Sequence, residues 1–145
     1  MAPGTDRPPA NQHVLRPIGT VRSTLRSPEE APRQGDEGGP DAWLEIADEV
    51  APGLDGLAVG QEILVLTWLH QARRDELRVH PRGDASRPAI GVFATRSPDR
   101  PNPVGLHRVQ VIEAAPGRLR VGPFEAIDGT PIVDIKPVLA DPGER

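Results

Sequence analysis

Apolar residues along this chain fall in short runs separated by proline and glycine, and several runs alternate apolar with polar positions, which predicts strands. The alternation from Val109 to Ala115 is followed by a turn at Ala115 to Arg118 and then by Leu119 to Gly122. These segments together predict a β-hairpin. The run from Glu62 to Leu69 is almost continuously apolar and rich in β-forming residues, which is typical of a central strand buried on both faces.

Further strands are predicted where shorter apolar runs occur, at 17–23, 43–47, 77–80, 90–94 and 132–139. Between them, Arg26 to Asp41 is rich in proline, glycine and charge, which predicts a long loop. Residues 52–60 predict a turn or a single short helical stretch that ends in glycine. Eight short strands with turn signals at this spacing favour a mainly β fold, either a barrel or a sandwich.

The length of 145 residues and a hydrophobic fraction of 37% fit one domain with its own core. The 18 prolines and 15 glycines are too many for a helical bundle. The chain contains no cysteine, which excludes disulfides and cysteine-based zinc or iron–sulfur sites. Its four histidines lack a zinc-binding spacing, so we predict no metal site.

The first residues, MAPGTDRPPANQ, lack the apolar segment of a signal peptide. No apolar run approaches the roughly 20 residues that are needed to cross a bilayer. We therefore expect residues 1–13 to be a disordered lead-in and residues 14–145 to form a single domain, in a cytoplasmic protein without a membrane partner.

The formal net charge is −4, which argues against a nucleic-acid partner, because affinity for nucleic acid draws on Lys and Arg side chains that neutralise phosphates. A local basic face is nevertheless compatible with an acidic total. Candidates for such a face cluster between two predicted strands: Arg73, Arg74, Arg78 and Arg82. We predict that Arg73 and Arg74 contact the substrate.

The stretch GVFATRSPDRPNPVGL, from Gly91 to Leu106, carries the strongest signal in the chain. Its three prolines fix the backbone behind a short apolar strand and predict a rigid, non-helical loop. Polar groups on a rigid loop lose little conformational entropy when a ligand binds, so the stretch predicts a binding site. Within it, Arg100 and Asn102 are candidates to hold a phosphate, a carboxylate or the carbonyl groups of the loop itself.

A second motif, DGTPIVDIKP, runs from Asp128 to Pro137. Its first four residues predict a turn. Asp134 and Lys136 alternate along the strand that follows, so their side chains leave the same face, and Asp128 can join them at one end. A carboxylate and an amine together can orient a nitrogen nucleophile or accept its proton, which makes these three residues candidates for catalysis. A cross-strand ion pair is the structural alternative.

The two motifs together resemble the signature pair of the TsaA-like, or TrmO, family of β-barrel methyltransferases. Weaker similarity extends to PIGTVRS at Pro17 to Ser23 and to PRQG at Pro32 to Gly35. The resemblance implies a small antiparallel β-barrel with long Pro/Gly-rich loops and S-adenosyl-L-methionine as the methyl donor. It also implies a homodimer with the donor near the subunit interface, and methylation of N6 of threonylcarbamoyladenosine in tRNA, as in the characterised members.

The resemblance also implies which residues bind the methyl donor. They come from five segments of the chain: Pro32, Arg33 and Gln34; Glu62 and Ile63; Arg96; Leu106; and Glu125, Ala126, Ile127 and Asp128. Gln34 offers both a donor and an acceptor, as recognition of adenine or ribose requires.

The sequence departs from the family pattern at several positions. Glu62 replaces a histidine, Val138 replaces a tyrosine, and His107 stands where a serine is common. The longer bacterial members also have a second C-terminal domain. We therefore keep two alternatives to a tRNA acceptor: the same chemistry on a small-molecule or peptide nitrogen, and a non-catalytic module that binds an adenosyl ligand.

Overall fold

The computed structural model describes residues 9–33 and 35–140. Six antiparallel strands close into a barrel in the order β1-β2-β7-β6-β3-β8, and β4 and β5 form a separate two-stranded sheet. The strands are β1 Gly19–Arg22, β2 Ala42–Ile46, β3 Glu62–Trp68, β4 Arg78–Val79, β5 Ile90–Gly91, β6 Val104–Ala115, β7 Arg118–Gly122 and β8 Pro131–Pro137. The predicted mainly β fold, an antiparallel barrel with long loops, is confirmed.

The hydrophobic core fills the inside of the barrel, because inward positions alternate with outward ones along each strand. β6 shows this alternation most clearly, since every second residue from Gly105 to Val111 is buried and the residues between them are exposed or half-buried. The largest fully buried side chains are Phe124, Leu44, Ile63, Leu119 and Ile132. Aliphatic residues therefore build most of the core, as the low aromatic content requires.

β3 is central in the barrel, but the prediction that it is buried on both faces is wrong. Its inward residues Ile63, Val65 and Thr67 are fully buried, whereas the residues between them are half-buried or exposed. The physical reason is that a closed barrel buries only its inner face within one chain. The apolar residues on the outer side of β3 are Leu64, Leu66 and Trp68.

Several boundaries also differ from prediction. The strand expected to reach Ala94 ends at Gly91 and continues as a 3₁₀ turn, Val92–Ala94. β6 begins at Val104 rather than Val109, because Val104 to Arg108 pair with β3 directly after Pro103. The helical stretch expected within 52–60 is a 3₁₀ helix at Asp48–Leu54, and the described part of the 26–41 loop contains one 3₁₀ turn, Gly35–Glu37.

Three loops meet at one end of the barrel, which we call the motif end. They are residues 23–41, between β1 and β2; residues 92–103, before β6; and residues 123–130, between β7 and β8. The opposite end carries the 3₁₀ helix Asp48–Leu54 and a cavity of about 480 Å³. Within the described residues, no helix has the length and apolar character needed to cross a membrane.

Candidate functional site

The PRQG loop packs directly on the backbone of the 123–130 segment. A Cβ atom on Gly35 would lie 2.8 Å from the Pro123 carbonyl oxygen, and one on Gly39 would lie 2.8 Å from the Phe124 carbonyl oxygen. Such distances are shorter than real Cβ contacts, so only glycine permits this approach. The contact brings two of the predicted cofactor segments together. Pro32 is half-buried and Arg33 exposed, while Gln34 lies outside the described residues.

Glu125 lies at the centre of this contact. Its Oε1 atom is 2.5 Å from Nδ1 of His107, and its Oε2 atom faces Gly35, where a Cβ would approach it to 3.0 Å. The neighbouring side chains of Ala126 and Ile127 are buried in the barrel. Of the residues from 125 to 127, Glu125 is therefore the one whose side chain reaches the loop.

Asp128 fastens the end of β1 to the 123–130 segment. Its Oδ1 accepts a hydrogen bond from the Ser23 backbone N–H at 3.0 Å, and its Oδ2 accepts one from Arg26 at 3.2 Å. Its own backbone N–H donates to the Leu25 carbonyl at 2.7 Å. Both carboxylate oxygens thus have partners that hold the loop in place.

In the 92–103 loop, Arg100 binds the loop's own backbone. Its Nη2 donates to the carbonyl oxygens of Val92 and, at 2.8 Å, of Thr95. These bonds curl Val92–Ala94 into a 3₁₀ turn, which explains why β5 ends early. Of the partners considered for Arg100, the structure shows the loop carbonyls.

Asn102 and Arg74 form a second brace in the same loop. The Nε atom of Arg74 donates to the Pro101 carbonyl at 2.7 Å, and its Nη2 donates to the Asn102 side chain at 3.0 Å. The same guanidinium lies 5.1 Å from the centroid of a Trp68 ring, a cation–π distance. Arg96, by contrast, is exposed and has no hydrogen-bond or ion-pair partner among residues 9–33 and 35–140.

The other candidate arginines are also engaged. Arg73 pairs with Asp75 at 3.1 Å and Glu76 at 3.0 Å, and the hydrogen bond to Asp75 raises the pKa of Arg73 and lowers that of Asp75. Arg78 donates to the Ala89 carbonyl at 3.3 Å. Of the four arginines predicted to form a basic face, Arg73 and Arg82 are therefore paired with acidic side chains, whereas Arg74 and Arg78 keep their charge while they donate to neutral groups.

Asp134 and Lys136 lie on the outer side of β8, with 3.4 Å between the Lys136 Nζ and an Asp134 carboxylate oxygen. The prediction that they leave the same face is confirmed, and their pairing runs along one strand rather than across two. Both side chains are about half exposed, and no hydrogen bond joins either to Asp128 in the described chain.

Strand pairing places Leu106 in the same surface. Leu66 on β3 lies opposite Leu106 on one side and opposite Asp134 on the other. We call this surface the β8-β3-β6 outer face. Its apolar members are Leu64, Leu66, Trp68, Val104 and Leu106, of which Leu106 is 42% exposed.

Glu62 and Ile63 begin β3 at the end opposite the motif end. Glu62 accepts two hydrogen bonds from Arg108, at 2.8 and 3.1 Å, and these bonds lower the pKa of the Glu62 carboxyl. The Ile63 side chain is fully buried in the core. Within one chain, the structure does not bring these two residues to the other predicted cofactor residues.

Sequence reasoning missed one group: Thr67, His107 and Glu125 are joined inside the barrel by hydrogen bonds at both ring nitrogens of His107. The signal was present, because a threonine and a histidine occupy inward positions of two alternating strands. Their meeting depends on the β3–β6 register, in which Thr67 pairs with Gly105, two residues before His107.

The closed six-stranded antiparallel barrel, with three loops and the Glu125 carboxylate at one end, defines a small β-barrel domain. The family described as tRNA-methyltransferase O N-terminal domain matches residues 20–142, and the chain belongs to it. The family is described as one of methyltransferase domains.

Relatives support the assignment. The chain is 44% identical over 123 residues to an S-adenosyl-L-methionine-binding protein of Archaeoglobus fulgidus, covering 85% of this chain and 87% of the relative. It is 45% identical over 127 residues to a probable S-adenosyl-L-methionine-binding protein of Methanothermobacter thermautotrophicus, covering 88% and 90%.

Solved structures show the same fold. A crystal structure of TrmO superposes with a TM-score of 0.72 at 32% identity, over 90% of this chain and 60% of that one. TrmO from Pseudomonas aeruginosa gives a TM-score of 0.69 at 31% identity, over 90% and 58%. The chain thus spans less than two thirds of these TrmO chains.

Proposed function

We propose that this domain methylates N6 of threonylcarbamoyladenosine in tRNA. The observation that carries the proposal is the family match over residues 20–142. In addition, Gly35 of the PRQG segment lies against Glu125 at the end of the barrel where the 92–103 loop leads into β6. A tRNA acceptor also agrees with a cytoplasmic location.

The groups at the motif end fit the chemistry of the methyl donor. S-adenosyl-L-methionine supplies a methyl group on a cationic sulfur and carries an ammonium, a carboxylate, a ribose diol and an adenine. The Glu125 carboxylate suits the diol or a cation, and the exposed Arg96, which has no partner in the described part of the chain, suits the carboxylate. We assign Pro32, Arg33 and Gln34 to the same site, because Gly35 holds the end of their loop against residues 123–125.

Alignment of the acceptor nitrogen with the methyl group is the main catalytic demand in such a displacement. The new N–C bond forms as the S–C bond breaks, and the nitrogen loses its proton. The Asp134 carboxylate, 3.4 Å from the Lys136 Nζ, is the proposed proton acceptor. Asp128 is already held by Ser23 and Arg26, so its contribution is to fix the loop beside the reacting groups.

A second copy of the chain completes this site. Leu106, Asp134 and Glu62 lie on the outside of the barrel, away from the loops of the same chain. The β8-β3-β6 outer face has an apolar centre with charged pairs, Asp134–Lys136 and Glu62–Arg108, beside it. Apolar centres with polar rims are typical of subunit interfaces. We therefore propose a homodimer in which this face of one protomer lies against the motif end of its partner.

A small-molecule or peptide nitrogen is the second candidate acceptor, and one observation favours it. Arg73 is paired with two acidic residues and Arg82 with Glu37, so two of the four arginines in the cluster proposed to bind phosphates are neutralised. The net charge of −4 acts in the same direction.

The test is a methylation assay with purified protein, S-adenosyl-L-methionine and tRNA that contains threonylcarbamoyladenosine, read by mass spectrometry of the nucleosides. Methylated nucleoside, in a yield that falls steeply as salt rises, supports the tRNA acceptor. Binding of the methyl donor without methylation of tRNA contradicts it and favours the small acceptor or a binding module. Flat calorimetric titrations with S-adenosyl-L-methionine would remove the methyltransferase assignment.

A further inference from the structure

His107 is a buried histidine that the proposed reaction does not use. Its side chain lies inside the barrel with 4% of its surface exposed, and its ring centroid is 4.7 Å from that of Phe124. Nε2 is 2.7 Å from the Thr67 hydroxyl, and Nδ1 is 2.5 Å from Oε1 of Glu125. Both ring nitrogens therefore have a partner in a chain that runs from the core to the motif end.

The partners decide the roles of the two nitrogens. A carboxylate only accepts hydrogen bonds, so the imidazole donates to it in the tautomer that carries a proton on Nδ1. The Thr67 hydroxyl can donate or accept, so it satisfies Nε2 whether the ring is neutral or protonated. Both ring nitrogens therefore have hydrogen-bond partners within the protein.

Two residues pack against the imidazole ring. Gly105 lies beside it, and a Cβ there would come within 2.7 Å of the His107 Nε2 and closer still to the Thr67 hydroxyl. Phe124 lies on another side of the ring. The imidazole is thus a fixed support for the one carboxylate oxygen that it binds.

We propose that His107 is a positioning residue of the cofactor site, which holds Glu125 so that Oε2 faces the PRQG loop. This inference rests on the proposed placement of S-adenosyl-L-methionine at the motif end. The Glu125 side chain is only 16% exposed, so without the imidazole its carboxylate would lose its close partner in a poorly solvated position. It would then turn towards water and away from the ligand.

The test compares calorimetric affinity for S-adenosyl-L-methionine in His107→Leu and His107→Asn. Leucine removes both hydrogen bonds at a similar volume, and we expect it to weaken binding by about tenfold, the usual effect of losing a hydrogen bond to a charged group. The amide nitrogen of asparagine can take the place of Nδ1, so His107→Asn restores most of the affinity. Thr67→Val, which leaves the bond to Glu125, changes affinity less than His107→Leu.

Val109→Ala is the matched control, because Val109 is the next inward residue of β6 and is equally buried. It lowers the melting temperature and leaves the affinity unchanged. In a double-mutant cycle, His107→Leu and Glu125→Gln together cost less affinity than the sum of the two single changes, because both remove one coupled unit.

The outcomes separate the inference from the function it rests on. If the wild-type protein does not bind S-adenosyl-L-methionine, the proposed cofactor site is overturned, and the role of His107 with it. If the wild-type binds and folded His107→Leu binds equally well, only the inference is overturned. Additive effects in the cycle, or no recovery in folded His107→Asn, also overturn it.

Discussion

Arg82 donates two hydrogen bonds to Glu37, from Nη2 to Oε1 at 2.6 Å and from Nη1 to Oε2 at 3.3 Å. The bidentate pair joins the turn between β4 and β5 to the 3₁₀ turn directly after the PRQG segment. Arg82 has a φ of 52°, in the left-handed region that few non-glycine residues adopt. The pair therefore links the small β4–β5 sheet to the 23–41 loop.

Arg82→Asn should loosen the 23–41 loop, because the substitution removes the guanidinium that bonds to Glu37. It should not strain the backbone, because asparagine tolerates left-handed φ and ψ angles. We expect faster cleavage of the 26–41 loop in limited proteolysis and a several-fold loss of affinity for S-adenosyl-L-methionine. The melting temperature should change little, since the pair is exposed. Glu45→Gln, which breaks the exposed Arg22–Glu45 pair on the barrel wall, is the control and should change neither loop cleavage nor affinity.

Arg96 and Arg100 occupy one loop but should respond oppositely to substitution. Arg100→Ala removes the bonds to the Val92 and Thr95 carbonyls and should destabilise the fold by about 1.5–3 kcal/mol, as for other hydrogen bonds to charged groups. Arg96→Ala should leave the melting temperature unchanged and weaken cofactor binding by about tenfold. Thermal melts and calorimetric titrations of both variants measure the two effects. A loss of stability in Arg96→Ala together with a loss of binding alone in Arg100→Ala would contradict the roles proposed for these arginines.

The Glu62 carboxyl should titrate below its usual range, because Arg108 lowers its pKa. A carboxyl with a lowered pKa stabilises the folded state fully above its unfolded pKa, and this stabilisation is lost as the pH falls through the folded value. Carboxyl ¹³C NMR across acidic pH measures the midpoint directly. Arg108→Gln should raise the Glu62 midpoint towards the usual value, and an unchanged midpoint in that variant would show that the ion pair is absent in solution.

Leu106→Glu should convert the proposed dimer to a monomer while the barrel stays folded, because Leu106 is 42% exposed on the β8-β3-β6 outer face. Ile63→Ala, on the inner face of the neighbouring strand, should instead destabilise the fold by about 2–5 kcal/mol and leave assembly unchanged at temperatures where it is folded. Sedimentation velocity and thermal melts separate the two effects. A wild-type protein that sediments as a monomer would refute the interface.

The alternation of apolar and polar residues was enough to predict most strands and the hairpin of β6 and β7, because each signal lies within one short segment. The early end of β5 was not predictable, since it depends on Arg100 reaching back five and eight residues to the carbonyls of Thr95 and Val92. The burial of only one face of β3 was not predictable either. An apolar run in the sequence does not show whether the outer side of a strand packs against another element.

In the candidate site, too, relationships between residues close in sequence could be predicted, whereas contacts between residues distant in sequence could not. Asp134 and Lys136 were placed on one face correctly, because they lie two residues apart. Glu125 and His107 are 18 residues apart with β7 between them, and only the closed barrel brings them together. The placement of Ile63 in the cofactor site came from resemblance alone, and the alternation of β3 turns that side chain into the core.

The contact of Gly35 and Gly39 with residues 123–124 gives this loop an unusual mutational character. A loop normally accepts changes of side chain, yet at these two positions even alanine would push the chain off the backbone below it. Gly53, near the opposite end of the barrel, has nothing within 4 Å of where a Cβ would lie and can accept one. The lack of a side chain at positions 35 and 39 therefore sets how closely the 23–41 loop can approach residues 123 and 124.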